Sequence, residues 1–209
     1  MMEPLATLKQ TFTSGKTRSI AWRKSQLLSL KRMLMENEQA IYQALKADLN
    51  KCEFEAYTSE YSFILKDIKL SIKNLKNWSK PRHVSTPLLA QPGHSKIVPE
   101  PYGTVLIMSA WDYPLQLLLS PLVAVLSAGN CAVLKPSELA EKTSALVADL
   151  IPKYMDNQAV WVYEGGIEET SALLKQRFDY IMYTGSENVG KIVMRAASEH
   201  LTPVTLELG

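Results

Sequence analysis

The feature that most constrains the fold is a regular alternation of short apolar runs and helical stretches after Gly103. The runs that predict strands are residues 104–109, 131–134, 159–163, 180–183 and 204–208. The stretches that predict helices between them are residues 114–128, 137–154, 167–176 and 188–200. Because strands joined by helical crossovers run parallel and are covered by helices, this pattern predicts an open parallel α/β sheet of about five strands with helices on both faces.

The residues before the sheet divide into two parts. Apolar residues recur at three- and four-residue steps from residue 19 to about residue 77, which predicts two or three long helices. Residues 80–101 are rich in proline and cannot form a continuous helix, so we expect an extended arm that needs another domain or a second subunit as a partner. The predicted organisation is a helical segment at 1–79 that packs on the sheet, an arm at 80–101 and a sheet domain at 102–209.

Composition and charge exclude several classes of protein. The 23 basic and 21 acidic side chains are scattered along the chain, so we expect no nucleic-acid partner. The two cysteines, Cys52 and Cys131, have no metal-ligand spacing around them, so we predict neither a metal site nor a disulfide scaffold, and a reducing cytoplasm fits. Residues 1–12 do not resemble a signal peptide, and the apolar run 115–128 is shorter than the ~20 residues that span a bilayer. We therefore expect a cytoplasmic protein with no membrane segment in this portion.

Residues 129–138, Gly-Asn-Cys-Ala-Val-Leu-Lys-Pro-Ser-Glu, read as a strand, a break and the start of a helix that Ser137 can cap. Lys135 and Glu138 lie at the carboxyl end of this strand, where open α/β sheets bind ligands and where a carboxylate can hold ribose hydroxyls. The alternative is a surface lysine and a glutamate that complements the helix dipole. Taken alone, the string favours this simpler interpretation.

Residues 183–190 form a second strand-turn-helix junction, with Gly185 and Gly190 in a Gly-x-x-x-x-Gly pattern. Gly185 allows a tight turn, Ser186 can cap the helix or contact an anion, and Gly190 permits close approach of the helix to the sheet or to a pyrophosphate. The pattern lacks the middle glycine of GxGxxG and the Lys-Ser/Thr of a P-loop. A phosphate cradle and an ordinary βα turn therefore both remain open.

Glu207 lies between two leucines near the end of the last strand. Facing a cleft, it would be placed to act as a general base; facing outward, it would belong to the polar side of an edge strand. Strand alternation does not choose between these positions.

Four segments taken together resemble the aldehyde dehydrogenase superfamily. They are Ser-Ala-Trp-Asp-Tyr-Pro at 109–114, Ala-Gly-Asn leading to Lys-Pro-Ser-Glu at 128–138, the junction at 183–190, and Thr-Pro-Val-Thr-Leu-Glu-Leu-Gly at 202–209. Residues 14–18 and 54–57 resemble more narrowly its class 3-like branch. The resemblance covers nearly the whole chain and identifies it as the N-terminal, cofactor-binding portion of a longer enzyme.

The resemblance implies that NAD or NADP binds to a Rossmann-like sheet. The residues it places at the cofactor are Ala110, Trp111, Lys135, Glu138, Gly185, Ser186, Val189, Gly190 and Leu208. Within this set it assigns Lys135 and Glu138 to the adenosine ribose, and the turn at Gly185 and Ser186 to the pyrophosphate.

The resemblance also implies a reaction, the oxidation of an aldehyde to a carboxylic acid through a cysteine thiohemiacetal and thioester. The glutamate matching Glu207 activates the hydrolytic water, whereas the nucleophilic cysteine lies beyond the motif that ends at Gly209, so this portion alone is expected to be inactive. Asp112 replaces the asparagine that donates to the oxyanion; an ionised Asp112 has no proton to donate, and a protonated one does.

The resemblance further implies a homodimer for the full-length protein. Two alternative functions remain. The first is a truncated module that binds a dinucleotide or a partner without catalysis. The second is a relative that reduces acyl phosphates or forms acyl-CoA.

Overall fold

The structure is a computed structural model that describes residues 2–209. Its first part is helical, as predicted: α1 (Met2–Thr13), α2 (Ile20–Glu36), α3 (Glu38–Leu49), α4 (Glu53–Ala56) and α5 (Ser62–Trp78). A π-helical turn, Tyr57–Tyr61, joins α4 to α5 in one continuous helical run. Within the described residues, no helix has both the length and the hydrophobicity needed to cross a membrane.

Helix α1 lies within the predicted helical segment, although it precedes residue 19, where the helical periodicity begins. Its buried residues Leu5 and Leu8 pack against the sheet. A helix this short is marginal on its own and depends on tertiary packing, which the local pattern does not reveal.

The predicted arm is a small antiparallel hairpin of β1 (Arg82–Val84) and β2 (Ser95–Ile97). Leu88 and Leu89 lie in a 3₁₀ turn between the two strands and are 87% and 102% exposed. The hairpin therefore carries apolar side chains that the described residues leave uncovered.

The sheet that follows contains β3 (Thr104–Met108), β4 (Cys131–Lys135), β5 (Val160–Val162), β6 (Tyr180–Gly185) and β7 (Val204–Leu208). All neighbours are parallel, in the order β5-β4-β3-β6-β7. The connecting helices are α6 (Gln116–Ala128), α7 (Glu141–Tyr154), α8 (Ile167–Leu174) and α9 (Glu187–Ser198). The predicted parallel α/β sheet is confirmed.

Alternate strand residues feed two hydrophobic clusters, one on each face of the sheet. Val105 and Ile107 belong to the cluster that contains α2, α3, α5, α6 and α7. Leu106 and Met108 belong to the cluster that contains α1, α8 and α9. Because the helical segment shares its core with the sheet, the division into separate domains stays a prediction.

The start of α7 differs from the prediction that Ser137 caps this helix. Ser137 Oγ accepts a hydrogen bond from Leu139 N in the connecting turn, and α7 begins only at Glu141. Asp48, at the end of α3, supplies the cap instead: its two carboxylate oxygens accept from Lys142 N at 2.9 Å and Thr143 N at 2.7 Å. A cap supplied from so far away in sequence leaves no local signal.

Candidate functional site

The chain order of the strands creates a crevice at one edge of the sheet. After β3 the chain moves outward to β4 and β5, then returns to place β6 on the other side of β3. Met108, the last residue of β3, is in register with Lys135 of β4 and with Tyr183 of β6. The residues that follow these strands therefore meet where open α/β sheets bind ligands.

A cleft of about 370 Å³ lies at this edge. Its lining contains seven of the residues predicted to bind a cofactor: Ala110, Trp111, Lys135, Glu138, Gly185, Ser186 and Val189. Leu139, Ile167, Leu174 and Ile192 add apolar wall. A larger hollow of about 470 Å³ lies between α5 and α6, but no strand residue lines it. An apolar cleft with a few convergent polar groups is typical of a small-molecule site.

Lys135 places a cation in the cleft. The side chain is 4% exposed, and its ammonium donates to the Pro136 carbonyl oxygen at 2.7 Å and to Glu138 Oε2 at 3.4 Å. Burial lowers the pKa of Lys135 below its ordinary value, and the Glu138 carboxylate partly opposes this effect. The simpler interpretation of Lys135 as a surface lysine is therefore wrong. A buried donor beside the half-exposed Glu138 carboxylate suits the hydroxyls of a ribose.

The turn at Gly185 brings the start of α9 to the cleft. Gly185 has φ of 154°, and a Cβ there would collide with the Tyr183 ring, 2.8 Å from its Cζ. Ser186 follows as the N-cap of α9, and its Oγ accepts from Val189 N. The amino end of a helix attracts anions, so this end of α9 suits a pyrophosphate.

Gly190 and Leu208 lie outside the cleft lining and contact each other. A Cβ on Gly190 would come within 2.7 Å of Leu208 Cδ2, so the missing side chain lets α9 approach β7. Of the two roles considered for Gly190, the described residues support helix-sheet packing. A cofactor role for these two residues stays a prediction.

The two predicted catalytic residues also lie outside this cleft. Asp112 is exposed in the loop between β3 and α6. Glu207 is exposed and lines a separate hollow of about 480 Å³. Thr184, in register with Glu207, lines both the hollow and the cleft, so the two are neighbours. Their catalytic roles stay predictions.

Ser109 is a cleft residue that the sequence analysis did not select. Its side chain is buried at the carboxyl end of β3, and among the described residues its Oγ has no hydrogen-bond partner. Buried polar groups are nearly always paired, so an orphan hydroxyl in a cleft is available to pair with a ligand group. A polar residue ending a central strand was the only available sequence signal.

Neither cysteine lies in the cleft lining. Cys131 is buried at the start of β4, the end opposite Lys135, and burial raises the pKa of its thiol to about 12. Cys52 is exposed immediately before α4. Since the thiolate is the nucleophilic form, Cys131 is poorly suited to covalent catalysis.

Comparison with known proteins agrees with this geometry. The profile of the aldehyde dehydrogenase family matches residues 5–209. Aldehyde dehydrogenase family 3 member B1 of Bos taurus is 49% identical over 207 residues, which cover 99% of this chain and 44% of the bovine protein. Family 3 member A2 of Rattus norvegicus is 47% identical over 209 residues, which cover 100% of this chain and 43% of the rat protein.

Two solved aldehyde dehydrogenase structures superpose on nearly the whole of this chain. The substrate-bound state of Staphylococcus aureus AldH superposes with a TM-score of 0.97 at 46% identity, covering 100% of this chain and 45% of that one. A Mycobacterium tuberculosis aldehyde dehydrogenase complexed with NAD⁺ has a TM-score of 0.85 at 26% identity, covering 98% of this chain and 42% of that one. The chain thus spans less than half the length of these proteins.

Proposed function

Because the chain belongs to the aldehyde dehydrogenase family, we propose that it forms the dinucleotide-binding part of an NAD(P)⁺-dependent enzyme that oxidises an aldehyde to a carboxylic acid. The single observation that carries this proposal is the cleft at the strand ends, where the buried ammonium of Lys135 faces the Glu138 carboxylate. The bound nicotinamide would accept the hydride that the aldehyde loses.

The residues of the cleft fit a dinucleotide. Lys135 and Glu138 offer a donor and an acceptor to a ribose diol, and the amino end of α9, at the cleft, would bind the pyrophosphate. The orphaned Ser109 hydroxyl supplies one more polar group. The Glu138 carboxylate would repel a 2′-phosphate, so NAD⁺ is expected to bind more tightly than NADP⁺.

Catalysis requires a nucleophile that we place beyond Gly209, because neither Cys52 nor Cys131 lines the cleft. Glu207, in the adjoining hollow, would activate water, and Asp112 would lie next to the developing oxyanion. An ionised Asp112 has no proton to donate, so it donates only where another part of the enzyme buries it. In this proposal the 209 residues bind cofactor but do not oxidise aldehydes alone.

Two further expectations belong to the complete enzyme. The exposed hairpin supports a homodimer, since open strand edges and exposed leucines favour association with a second subunit. A cytoplasmic location remains an expectation from composition and cysteine usage.

Calorimetric titration of the chain with NAD⁺ and with NADP⁺ tests the proposal. We expect saturable binding, tighter for NAD⁺, and a loss of about tenfold or more in affinity for Lys135→Met, because a hydrogen bond from a charged group is removed. Absence of binding at millimolar cofactor would overturn the proposal. Binding without aldehyde oxidation, even after extension of the chain through a cysteine-bearing catalytic domain, would favour the non-catalytic module.

The pH dependence of unfolding, compared between wild type and Lys135→Met, checks that the variant is folded and lacks only the buried ammonium. The pKa of Lys135 is lowered in the folded protein relative to the unfolded chain, whose lysines titrate near 10.5. Between the two values the unfolded chain binds more protons, so this residue makes the free energy of unfolding rise with pH. We expect the free energy of unfolding of wild type to rise relative to that of the folded variant as pH rises towards 10.5. The cost of burying the ammonium is present in full only below the folded-state pKa, where the group is charged in both states.

A further inference from the structure

A buried ion pair lies outside the residues that the proposed function uses. Lys51 Nζ, in the turn between α3 and α4, is 2.6 Å from Glu60 Oε1, in the π-helical turn. Both side chains are buried, Glu60 completely. Burying two charges is expensive, and such a pair often adds no net stability over an apolar one, so a role other than stability is indicated.

The remaining polar contacts of this pair reach one segment, the loop between β3 and α6. Lys51 Nζ donates to the Asp112 carbonyl oxygen at 2.6 Å and lies 4.1 Å from the centroid of the Tyr113 ring. Glu60 Oε2 accepts from Leu115 N at 2.9 Å and from Gln116 N at 3.1 Å. The pair therefore holds the middle of the loop at Asp112 and its C-terminal end at Leu115 and Gln116.

Helix α6 depends on this carboxylate for its start. Its N-cap residue is Leu115, which has no side-chain acceptor. Leu117 N donates locally to the Tyr113 carbonyl oxygen, whereas Leu115 N and Gln116 N donate to Glu60. Glu60 supplies the acceptor and places a negative charge at the positive end of the helix dipole. Because Glu60 lies in the turn that joins α4 to α5, this contact fixes the start of α6 relative to those two helices.

The ends of the loop have other anchors, a hydrogen bond from Ser109 N to the Lys135 carbonyl oxygen and the buried Leu115, whereas its middle is exposed. Trp111, Asp112 and Tyr113 are all exposed, yet Trp111 lines the cleft. Glu60 also lies on a π-helical turn, a geometry that is frequent at functional sites. A buried, fully paired ion pair can fix an exposed loop where side-chain packing does not.

We propose that Lys51 and Glu60 are positioning residues, which fix the main chain of residues 111–116 so that Trp111 and Asp112 keep their places beside the cleft. The consequence for cofactor binding rests on the proposed function, whereas the consequence for the loop does not. The two can therefore be tested separately.

Fluorine NMR of protein labelled with 5-fluorotryptophan tests the loop. The chain has four tryptophans, and Trp111→Phe assigns the signal of Trp111. In Lys51→Met we expect the Trp111 signal to shift or broaden, while Trp22, Trp78 and Trp161 keep theirs. The double variant Lys51→Met/Glu60→Gln guards against misfolding, because it leaves no unpaired buried charge and keeps an acceptor at residue 60.

A matched control is the exposed pair of Lys153 and Asp149, joined at 2.6 Å. Lys153→Met/Asp149→Asn removes the same charges and should leave all four signals unchanged. An unchanged Trp111 signal in the folded double variant would overturn the positioning role, and equal changes in all four signals would show a general structural role instead.

NAD⁺ titration of the same variants tests the functional consequence. We expect the double variant to bind about tenfold more weakly, since binding would then have to order the loop. Unchanged affinity with a shifted Trp111 signal would overturn the claim that the pair serves the cleft. Failure of wild type to bind NAD⁺ would count against the proposed function, and the Trp111 signal would still decide the positioning role.

Discussion

At the scale of single residues, the cleft contains a hydroxyl that stability alone does not explain. The Oγ of Ser109 is buried and, among the described residues, unpaired. Leaving a buried polar group without a partner costs about 1–3 kcal/mol. A serine in this position is accounted for if a ligand group pairs with it. Thr104, at the other end of β3, carries a second orphaned hydroxyl but does not line the cleft. Comparing variants of the two residues therefore distinguishes the energetic cost of burying a hydroxyl from its contribution to ligand binding.

Ser109→Ala is therefore expected to increase stability and to weaken cofactor binding. The free energy of unfolding should rise by up to about 1 kcal/mol, and the dissociation constant for NAD⁺ should rise about fivefold as one neutral hydrogen bond is lost. Urea unfolding and calorimetry measure the two quantities. The control, Thr104→Val, should raise stability but leave affinity unchanged. Equal affinities of Ser109→Ala and wild type would show that the hydroxyl does not contact the cofactor.

At the scale of elements, the two helices that follow β3 and β4 begin in the same unusual way. Neither α6 nor α7 has a capping side chain at its own N-cap. Glu60 supplies the acceptor for α6 and Asp48 supplies it for α7. Both acidic residues come from the helical segment, which thus fixes the two loops that contribute Trp111 and Glu138 to the cleft.

Removal of one such cap should have a measurable cost. Asp48→Ala leaves Lys142 N and Thr143 N without their acceptor, so we expect a loss of about 1 kcal/mol in the free energy of unfolding, the usual effect of deleting an N-cap. Asp149→Ala is the matched control, because it removes an exposed carboxylate whose ion pair is worth about 0.3–0.5 kcal/mol. Equal losses in urea unfolding would mean that Asp48 acts only as a surface charge.

These caps also mark the limit of what the sequence predicts at this scale. Strand and helix periodicity is a local property, so the helices and strands from β3 to β7 were predicted with boundaries that differ by a few residues. The predicted cap of α7 is wrong because the actual cap, Asp48, is distant in sequence, and α1 shows no clear helical periodicity because packing on the sheet stabilises it. The Lys51–Glu60 pair is invisible in the sequence for the same reason.

At the scale of the whole molecule, the position of the cleft follows from strand order, which the sequence pattern leaves undetermined. The motifs around Lys135 and Gly185 are separate in the sequence, and only the family resemblance assigns them to one site. In the structure they converge because β4 and β6 flank β3. Exposure, by contrast, depends on the whole fold: Lys135 is buried, whereas Asp112 and Glu207 are exposed.

The hairpin of β1 and β2 is a surface through which molecules of this chain can associate. A two-stranded hairpin is marginally stable alone, and its outer edges are open to further pairing. Leu88 and Leu89 project from it almost fully exposed, and near its base an exposed ion pair joins Arg18 to Glu100. Such a surface is expected to be buried against another subunit or another part of the enzyme.

We therefore expect the 209-residue chain to self-associate through this hairpin at micromolar concentration. Light scattering coupled to size exclusion should give a mass above the 23.4 kDa of one chain, and Leu88→Ser/Leu89→Ser should shift it towards that value because the exposed apolar area is lost. Leu201→Asn is the control: Leu201 is 90% exposed but lies in the turn after α9, with a positive φ that asparagine tolerates. A monodisperse wild-type monomer would contradict the prediction, and equal effects of the two variants would assign the association to general surface hydrophobicity rather than to the hairpin.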